Sequence, residues 1–282
     1  MLERKRLITF TTALSLSIFA FAQTRGPESG ALVVVGGGGV PPSVISRFIE
    51  LAGGPEAPIV LIPTASGSED FTPASVGLAR FSDQGAKNLT ILHTRDREEA
   101  DADAFVQPLK EAGGVWFNGG RQWRLVDAYA DTQTEELLWA LLERGGVIGG
   151  SSAGATIQGS YLARGDTKNN QIMMGDHEEG FGFISNIAID QHVLARNRQF
   201  DLFNILEKRP ELLGVGLDES TAMVVQGNEF EVLGESYVLV YDGNFWSREG
   251  SDLKKLPDSG QLFYFLREGD RYDLMKRKII KN

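Results

Sequence analysis

The chain has 282 residues, no cysteine and a formal net charge of −10 at pH 7. This acidic balance disfavours nucleic acid and anionic membrane surfaces as partners, and it weakly attracts cationic substrates. The missing thiol excludes disulfide bonds and a cysteine nucleophile, so stability must come from a hydrophobic core, for which a chain of this length suffices.

The first 22 residues are predicted to be a signal peptide. A basic segment at residues 3–6 precedes an apolar run at residues 7–19, and Ala20-Phe21-Ala22 offers a small-x-small cleavage pattern. The apolar run is shorter than the ~20 residues that a membrane-spanning helix needs, which favours cleavage over anchoring. We therefore expect a periplasmic or secreted protein without a membrane partner after cleavage. Residues 23–282 contain no repeat or linker, and they are expected to form a single α/β domain.

The first part of the mature chain alternates short apolar runs with amphipathic stretches. Strands are predicted at residues 31–35, 59–63, 89–92, 115–118 and 147–148. Helices are predicted after the first strand, where apolar residues recur at helical spacing, and at residues 135–143. This alternation predicts a three-layer α/β fold with a mostly parallel sheet flanked by helices.

The second part of the chain has a different pattern. A polar loop is predicted at residues 169–183, followed by an apolar strand at 187–189 and a helix at 200–206. Additional C-terminal strands are predicted at residues 221–225, 230–233, 237–241 and 262–265, with a hairpin-like turn at 242–244. Residues 270–282 are predicted to be a charged tail.

Four glycines, Gly36 to Gly39, follow the first strand, as they would in a nucleotide-binding loop. No Gly-Lys-Ser/Thr follows them, and a third spaced glycine and a ribose-binding acid are also missing. Nucleotide binding is therefore not favoured.

The segment Gly150-Ser151-Ser152-Ala153-Gly154 has the G-x-S-x-G pattern of a nucleophile elbow. In such an elbow a strand turns sharply into a helix and presents a serine hydroxyl, which makes Ser152 the predicted nucleophile. The alternative interpretation is a glycine-rich turn in which a serine caps the helix.

A serine nucleophile needs a base, and the chain has three histidines, His93, His177 and His192. His192 is favoured because it follows a buried strand, and the carboxyl ends of parallel strands form the rim of active sites. Asp218 and Glu219 end another strand and are candidates for the group that orients the base. Backbone amides of Ala153 and of Gly119 or Gly120 are candidates for the oxyanion hole.

These residues resemble the serine peptidase family of cyanophycinase and peptidase E, and the cyanophycinase branch more closely. Six motifs in the same order carry the resemblance over residues 30–240. They are Gly-Ala-Leu-Val-Val-Val-Gly-Gly-Gly at 30–38, Ile-Pro-Thr-Ala-Ser-Gly at 62–67, Phe-Asn-Gly-Gly-Arg-Gln at 117–122, the serine segment at 150–154, Ile-Asp-Gln-His-Val-Leu-Ala-Arg-Asn-Arg at 189–198 and Gly-Leu-Asp-Glu-Ser-Thr-Ala at 216–222.

The resemblance implies a fold like that of the class I glutamine amidotransferases, with Ser152 as nucleophile, His192 as base and Glu219 as third member. Asp166 resembles the acid of the peptidase E branch and is the reserve candidate. The residues that match the substrate pocket of cyanophycinase are Gln122, Asp190, Gln191, Arg196 and Arg198. The resemblance implies neither a cofactor nor a metal. It does imply a homodimer.

The substrate implied by the resemblance is a polymer with an aspartate backbone, from which cyanophycinase releases β-linked aspartyl-arginine dipeptides. Arg196 or Arg198 would bind the free α-carboxylate of a β-aspartyl unit. Two positions depart from the family pattern. Asp201 stands near the place of a third arginine, where it would repel a carboxylate or attract a basic group, and Arg121 stands where an acid often follows the paired glycines.

The sequence as a whole predicts an exported serine exopeptidase that acts on small or β-aspartyl-linked peptides. Two alternatives remain at this stage. One is a periplasmic peptide-binding protein or catalytically lapsed homologue, and the other is an esterase of the α/β-hydrolase class. The esterase is disfavoured because no histidine follows His192 near the chain end.

Overall fold

The computed structural model describes residues 23–244, 246 and 262–281, and the predicted signal peptide lies outside these residues. The strands within the described ranges are β1 (Ala31–Val35), β2 (Pro58–Ile62), β3 (Asn88–Ile91), β4 (Gly114–Phe117), β5 (Val147–Ser151), β6 (Gly159–Tyr161), β7 (Ile184–Gln191), β8 (Leu213–Leu217), β9 (Thr221–Gln226), β10 (Glu229–Gly234), β11 (Val238–Tyr241), β12 (Tyr264–Leu266), β13 (Arg271–Asp273) and β14 (Lys278–Ile280). The helices are α1 (Pro42–Leu51), α2 (Pro73–Val76), α3 (Ala79–Ser82), α4 (Arg97–Ala100), α5 (Asp103–Glu111), α6 (Trp123–Tyr129), α7 (Gln133–Glu143), α8 (Ala153–Thr156) and α9 (Phe203–Leu206).

The strands form two sheets. The larger sheet has nine strands in the order β14-β13-β10-β9-β1-β5-β4-β2-β3. Strands β1 to β5 pair with one another in parallel, whereas β9, β10, β13 and β14 extend the sheet beyond β1 in antiparallel fashion. The smaller sheet has five strands in the order β12-β11-β8-β7-β6, of which β6, β7 and β8 are parallel.

Burial on both faces explains the continuous apolar sequence of β1. Leu32 and Val34 join an apolar cluster that also contains residues of α5 to α7 and of the smaller sheet. Val33 and Val35 point the other way, into a second cluster with α1 and α3. The result is a layered α/β fold in which the larger sheet has packed layers on both faces.

The fold class and the additional C-terminal strands predicted from the sequence are confirmed. The predicted charged tail is wrong, because residues 271–280 contain β13 and β14. Tyr272 and Leu274 in this segment are fully buried, and their apolar contacts outweigh the charge of their neighbours. The predicted helix at 200–206 is shorter, since α9 begins only at Phe203. The turn at 242–244 is not a tight hairpin, because β11 pairs with β12, which begins at Tyr264.

Candidate active site

Ser152 lies at the turn between β5 and α8, at the carboxyl end of the larger sheet's parallel strands. Its backbone has φ +57° and ψ −111°, a strained conformation for a residue with a side chain. The Ser152 amide donates a hydrogen bond of 3.0 Å to the carbonyl of Val35, which fixes the turn against β1. Gly150 and Gly154 approach so closely that a Cβ at Gly150 would overlap the Gly154 carbonyl. The small residues are therefore what allows α8 to pack directly against β5.

His192 and Glu219 come from the smaller sheet. His192 follows β7, and Glu219 lies in the turn between β8 and β9, where the chain crosses from the smaller sheet to the larger one. Ser152 Oγ lies 2.9 Å from His192 Nε2, and His192 Nδ1 lies 2.6 Å from a carboxylate oxygen of Glu219. With the proton on Nδ1, His192 donates to Glu219 and accepts from the serine hydroxyl. The three predicted residues are thus brought into one hydrogen-bonded chain.

The glycine run after β1 packs against this chain. A Cβ at Gly37, which has φ +120°, would overlap the imidazole ring of His192. A Cβ at Gly38 would lie 2.7 Å from a carboxylate oxygen of Glu219. The carbonyls of Gly36 and Gly37 accept hydrogen bonds from the amides of His192 and Ser220, at 2.9 and 3.0 Å. Sequence reasoning tested this run for nucleotide binding and counted it in the family resemblance, but it missed the proximity of the run to His192.

The pKa of His192 is lowered from its ordinary value of 6.5, and several effects contribute. Burial is the main cause, because it disfavours the charged imidazolium. The hydrogen bond to Glu219 opposes the decrease, while the positive charges of Arg196 and Arg198 add to it. The net effect favours the neutral imidazole, which is the form that can accept a proton.

The other two acids considered from the sequence have different partners. Asp218 accepts hydrogen bonds from the amides of Leu194 and Ala195 and from the hydroxyl of Ser236. It therefore braces the turn that follows His192. Asp166, the reserve candidate, instead accepts from the amides of Lys168 and Asn169, at 2.8 and 3.3 Å.

The candidate oxyanion donors lie on both sides of Ser152. A Cβ on Gly119 would lie 3.3 Å from the Cβ of Ser152, so the end of β4 adjoins the serine. Gly120 is pressed against the carbonyl of Ala65, and the next amide, that of Arg121, donates to this carbonyl at 2.8 Å. The Ala153 amide is at the start of α8, in the first turn, where helical amides lack an intrahelical partner.

Four of the five predicted pocket residues are buried, and only Arg196 is exposed. Gln122 donates to the carbonyl of Ala163 at 2.6 Å. Arg198 donates to the backbone and side-chain oxygens of Gln191, at 3.2 and 3.1 Å. Both Arg196 and Arg198 are close enough to His192 for their charges to act on its pKa. The structure therefore places these two arginines near His192, which Asp190 and Gln191 precede at the end of β7.

Asp190, the fifth pocket residue, has a partner that sequence reasoning missed. The fully buried guanidinium of Arg164 binds both carboxylate oxygens of Asp190, at 2.7 and 2.9 Å. Arg164 also donates to Asp201 at 2.6 Å, so the charge of Asp201 is paired rather than free to act on a ligand. Asp190 directly follows the apolar run at residues 187–189, and this position was the available sign in the sequence that a cation had to accompany it.

Arg121, the other departure from the family pattern, and the two other histidines bind residues outside the hydrogen-bonded chain from Ser152 to Glu219. Arg121 donates to the backbone carbonyl of Asp166. His93 makes a 2.8 Å hydrogen bond with Thr64, and burial lowers its pKa. His177 lies between Asp127 and Asp176; burial works against its charged form, yet hydrogen bonds to these acids raise its pKa. Neither histidine is hydrogen-bonded to Ser152.

Comparison with known proteins gives consistent matches. The family model of Peptidase family S51 matches residues 32–233. A cyanophycinase from Geminocystis herdmanii is 33% identical over 243 residues, which cover 82% of this chain and 87% of that protein. A cyanophycinase from a Nostoc species is 29% identical over 277 residues, which cover 92% of this chain and 91% of that protein.

Two solved structures are similar as well. A peptidase from an acI-B1 Actinobacterium has a TM-score of 0.66 at 25% identity, over 88% of this chain and 98% of that one. A protein described as a putative peptidase E, from Listeria monocytogenes, has a TM-score of 0.51 at 18% identity, over 73% of this chain and 99% of that one, and shows the fold alone.

Fold and matches together define a serine-type peptidase with a mixed α/β fold. The chain belongs to peptidase family S51. The predicted family resemblance is confirmed, and a peptidase is favoured over an α/β-hydrolase-type esterase. Among the described residues, no helix is long and apolar enough to cross a membrane. The same part of the chain contains no cluster of three or more metal-ligating side chains.

Proposed function

We propose that this chain is an exported serine exopeptidase that hydrolyses small or β-aspartyl-linked peptides through an acyl-enzyme. Ser152 Oγ attacks the carbonyl carbon while His192 Nε2 takes the hydroxyl proton, and His192 then gives that proton to the leaving amine as the C–N bond breaks. In the second half, His192 takes a proton from water as the water oxygen attacks the ester carbonyl. The C–O bond to Ser152 then breaks, and His192 returns the proton to Ser152 Oγ. Glu219 orients the imidazole and stabilises its cation.

The observation that carries this proposal is the continuous hydrogen bonding from Ser152 to His192 to Glu219, at 2.9 and 2.6 Å. The three residues come from the ends of β5, β7 and β8, and each has a positive φ or adjoins a residue that has one. Backbone strain of this kind persists only where the surroundings enforce it, and it concentrates at functional sites. The Ser152 turn has the form of a nucleophile elbow.

The oxyanion of the tetrahedral intermediate forms next to Ser152, and we assign its stabilisation to the backbone. The amide of Ala153 approaches from the start of α8, and the amide of Gly119 or Gly120 from the end of β4. Preorganised amides of this kind each contribute about 10²–10³-fold in rate.

Arg196 and Arg198 support a substrate with a carboxylate near the scissile bond. Neither forms an ion pair within the described residues, and both act on His192. A β-aspartyl unit has a free α-carboxylate close to its cleaved β-carbonyl. The relatives named cyanophycinase favour an aspartyl-containing substrate. Residues 1–22 would be removed on export, which leaves one peptidase domain. The predicted homodimer is checked by analytical ultracentrifugation.

The test is to assay β-aspartyl-arginine and a panel of dipeptides with wild type and Ser152→Ala. We expect Ser152→Ala to lose at least about 10³-fold in kcat, as removal of an acyl-enzyme nucleophile does elsewhere. Ser151→Ala is the matched control, because Ser151 is the adjacent buried serine and is not hydrogen-bonded to His192. Equal amine release by wild type and Ser152→Ala would end the serine mechanism.

Labelling with a fluorophosphonate separates an enzyme from a peptide-binding or lapsed homologue without a known substrate. We expect Ser152 to be modified in wild type, and the rate of labelling to fall strongly in His192→Ala. His177→Ala should react like wild type, because His177 contacts Asp127 and Asp176 instead of the serine. Peptide binding without labelling would identify a binding protein.

A further inference from the structure

Arg164 is a buried cation that holds two carboxylates, that of the candidate pocket residue Asp190 and that of Asp201. Its Nε and one terminal nitrogen bind Asp190 at 2.7 and 2.9 Å, and the same nitrogen binds Asp201 at 2.6 Å. Its other terminal nitrogen donates to the carbonyl of Asn170 at 2.8 Å. The side chains of Arg164 and Asp190 have 0% exposure, whereas that of Asp201 is 36% exposed.

The backbone around Arg164 is fixed from several sides. Its φ is +59°, which is unusual for a residue with a long side chain. Its amide donates to the carbonyl of Met173 at 3.0 Å, and the preceding carbonyl, of Ala163, accepts from Gln122. The backbone of Arg164 is therefore held next to Gln122, and its guanidinium is held by Asp190; both partners are residues of the candidate pocket.

Arg198 is the neighbouring cation, and its situation is different. It is 4% exposed and hydrogen-bonds to Gln191 through one terminal nitrogen, but it forms no ion pair within the described part of the chain. The charges of Arg164, Asp190 and Asp201 all act on it, so the four groups form one electrostatic cluster. Because Arg164 binds both acids of this cluster, the Arg198 guanidinium has no carboxylate partner among the described residues and can pair with a carboxylate of a ligand.

We propose that Arg164 is a positioning residue that sets the charge preference of the substrate pocket. By occupying Asp190 and Asp201, it prevents either acid from pairing with Arg198 or from attracting a cationic substrate. The pocket then accepts a unit with a carboxylate and rejects a neutral or cationic counterpart. This inference rests on the proposed function and names the substrate feature that the site selects.

The experiment uses three matched dipeptides. The first is β-aspartyl-alanine, the second has the aspartyl α-carboxylate as a neutral amide, and the third has that amide extended by a cationic aminoethyl group. For wild type we expect kcat/KM for the acid to exceed that for the amide by about tenfold or more, since a charge-assisted hydrogen bond is lost in the amide. The difference should be in KM, and the cationic dipeptide should be the poorest substrate.

Arg164→Lys keeps the positive charge, but an ammonium cannot reproduce the fork that spans both carboxylates. A freed Asp201 then competes for Arg198, and we expect the acid-to-amide ratio to fall by about tenfold through KM. Arg164→Lys/Asp201→Asn removes the freed charge and should restore the ratio. Arg209→Lys is the matched control, because Arg209 pairs with Glu211 at the surface. Arg164→Gln is the stronger variant, but it leaves Asp190 buried without a cation and risks unfolding.

The inference is overturned if Arg164→Lys changes kcat/KM by the same factor for the acid and the amide. It is also overturned if the double variant does not restore the acid-to-amide ratio. Calorimetry with Ser152→Ala measures the same preference as binding affinity, without turnover. If wild type hydrolyses acid and amide equally well, the inference fails while the proposed function stands. If Ser152 is neither labelled nor needed for hydrolysis, the proposed function fails, and the calorimetric comparison still tests the charge preference.

Discussion

At the scale of single residues, the candidate site depends on opposing influences on one imidazole. Burial and the charges of Arg196 and Arg198 favour neutral His192, whereas Glu219 favours the protonated form. A base in this balance is neutral before the reaction, and Glu219 stabilises it once it has taken the proton of Ser152. The residue types were evident in the sequence, but the net direction of the pKa depends on burial and on distances that the sequence does not show.

The pH dependence of kcat/KM tests this balance. Because His192 must be neutral to act and its pKa is lowered, activity should persist as pH falls to the ordinary value of 6.5 and decline only below it. Arg196→Gln removes a charge that lowers this pKa, so the acidic limb should move to higher pH. The measurement is kcat/KM against pH for both proteins.

Arg47→Gln is the control for this profile, because Arg47 pairs with Glu50 at the surface of α1 and is not among the charges that act on His192. Its acidic limb should coincide with that of wild type. An unchanged limb in Arg196→Gln, or one moved to lower pH, would contradict the assigned influence of Arg196.

At the scale of elements, the turn after β1 organises the site. The carbonyls of Gly36 and Gly37 accept hydrogen bonds from the amides of His192 and Ser220, and the last carbonyl of β1 accepts one from the amide of Ser152. The absence of side chains in this turn allows it to lie against the imidazole. A strand followed by four glycines was recognisable in the sequence, but only the pairing of β1 with both β5 and β9 brings its end to the centre of the site.

Gly37→Ala is expected to impair catalysis. The new methyl group would overlap the His192 ring at a backbone φ of +120° that side chains rarely adopt. Displacement of a catalytic group by about 1 Å can reduce the rate by about 10²-fold, and we expect a loss of this order in kcat. Labelling of Ser152 by a fluorophosphonate should slow in parallel.

Gly39→Ala is a matched control in the same turn, since the nearest atom to its new methyl group would be the Ser220 hydroxyl at 3.9 Å. It should keep kcat within about twofold, because ordinary van der Waals contact requires no displacement. If both variants were equally active, the Gly37 backbone would not determine the position of His192.

At the scale of the whole molecule, the C-terminal segment is part of the larger sheet. Tyr272 of β13 stacks on Phe230 of β10, with ring centroids 5.2 Å apart. The hydroxyls of Tyr272 and Tyr264 both donate to Asp242, at 2.9 and 2.7 Å, and thereby join the ends of the two sheets. Lysines and arginines surround these buried residues in the sequence, which explains why a tail was predicted.

Tyr272→Ala is expected to destabilise the fold. Truncating a fully buried aromatic side chain typically costs about 3–5 kcal/mol of unfolding free energy, which for a domain of this size corresponds to about 10 °C in Tm. The measurement is thermal or denaturant unfolding of both proteins.

Phe265→Ala, on the neighbouring strand β12, removes an aromatic side chain that is 43% exposed and should cost about 1 kcal/mol or less. Equal destabilisation by the two substitutions would mean that burial of Tyr272 does not anchor the C-terminal strands.

The sequence by itself determined the α/β class, the family and the residue types of the site, because these depend on local apolar periodicity and on short ordered motifs. Its signal was strongest for β1, whose five residues are buried on both faces. It was weakest for β6 and β13, which are three-residue strands without an apolar run.

Only the tertiary structure decided which groups meet. The choice of Glu219 as the partner of His192, the position of Gly37 on its ring and the binding of Asp190 and Asp201 by Arg164 all join residues far apart in the chain. A charge pattern along the sequence does not show which carboxylate a buried cation will bind. That depends on where two sheets place their strand ends, and burial then decides the pairing because an unpaired charge inside the protein is costly.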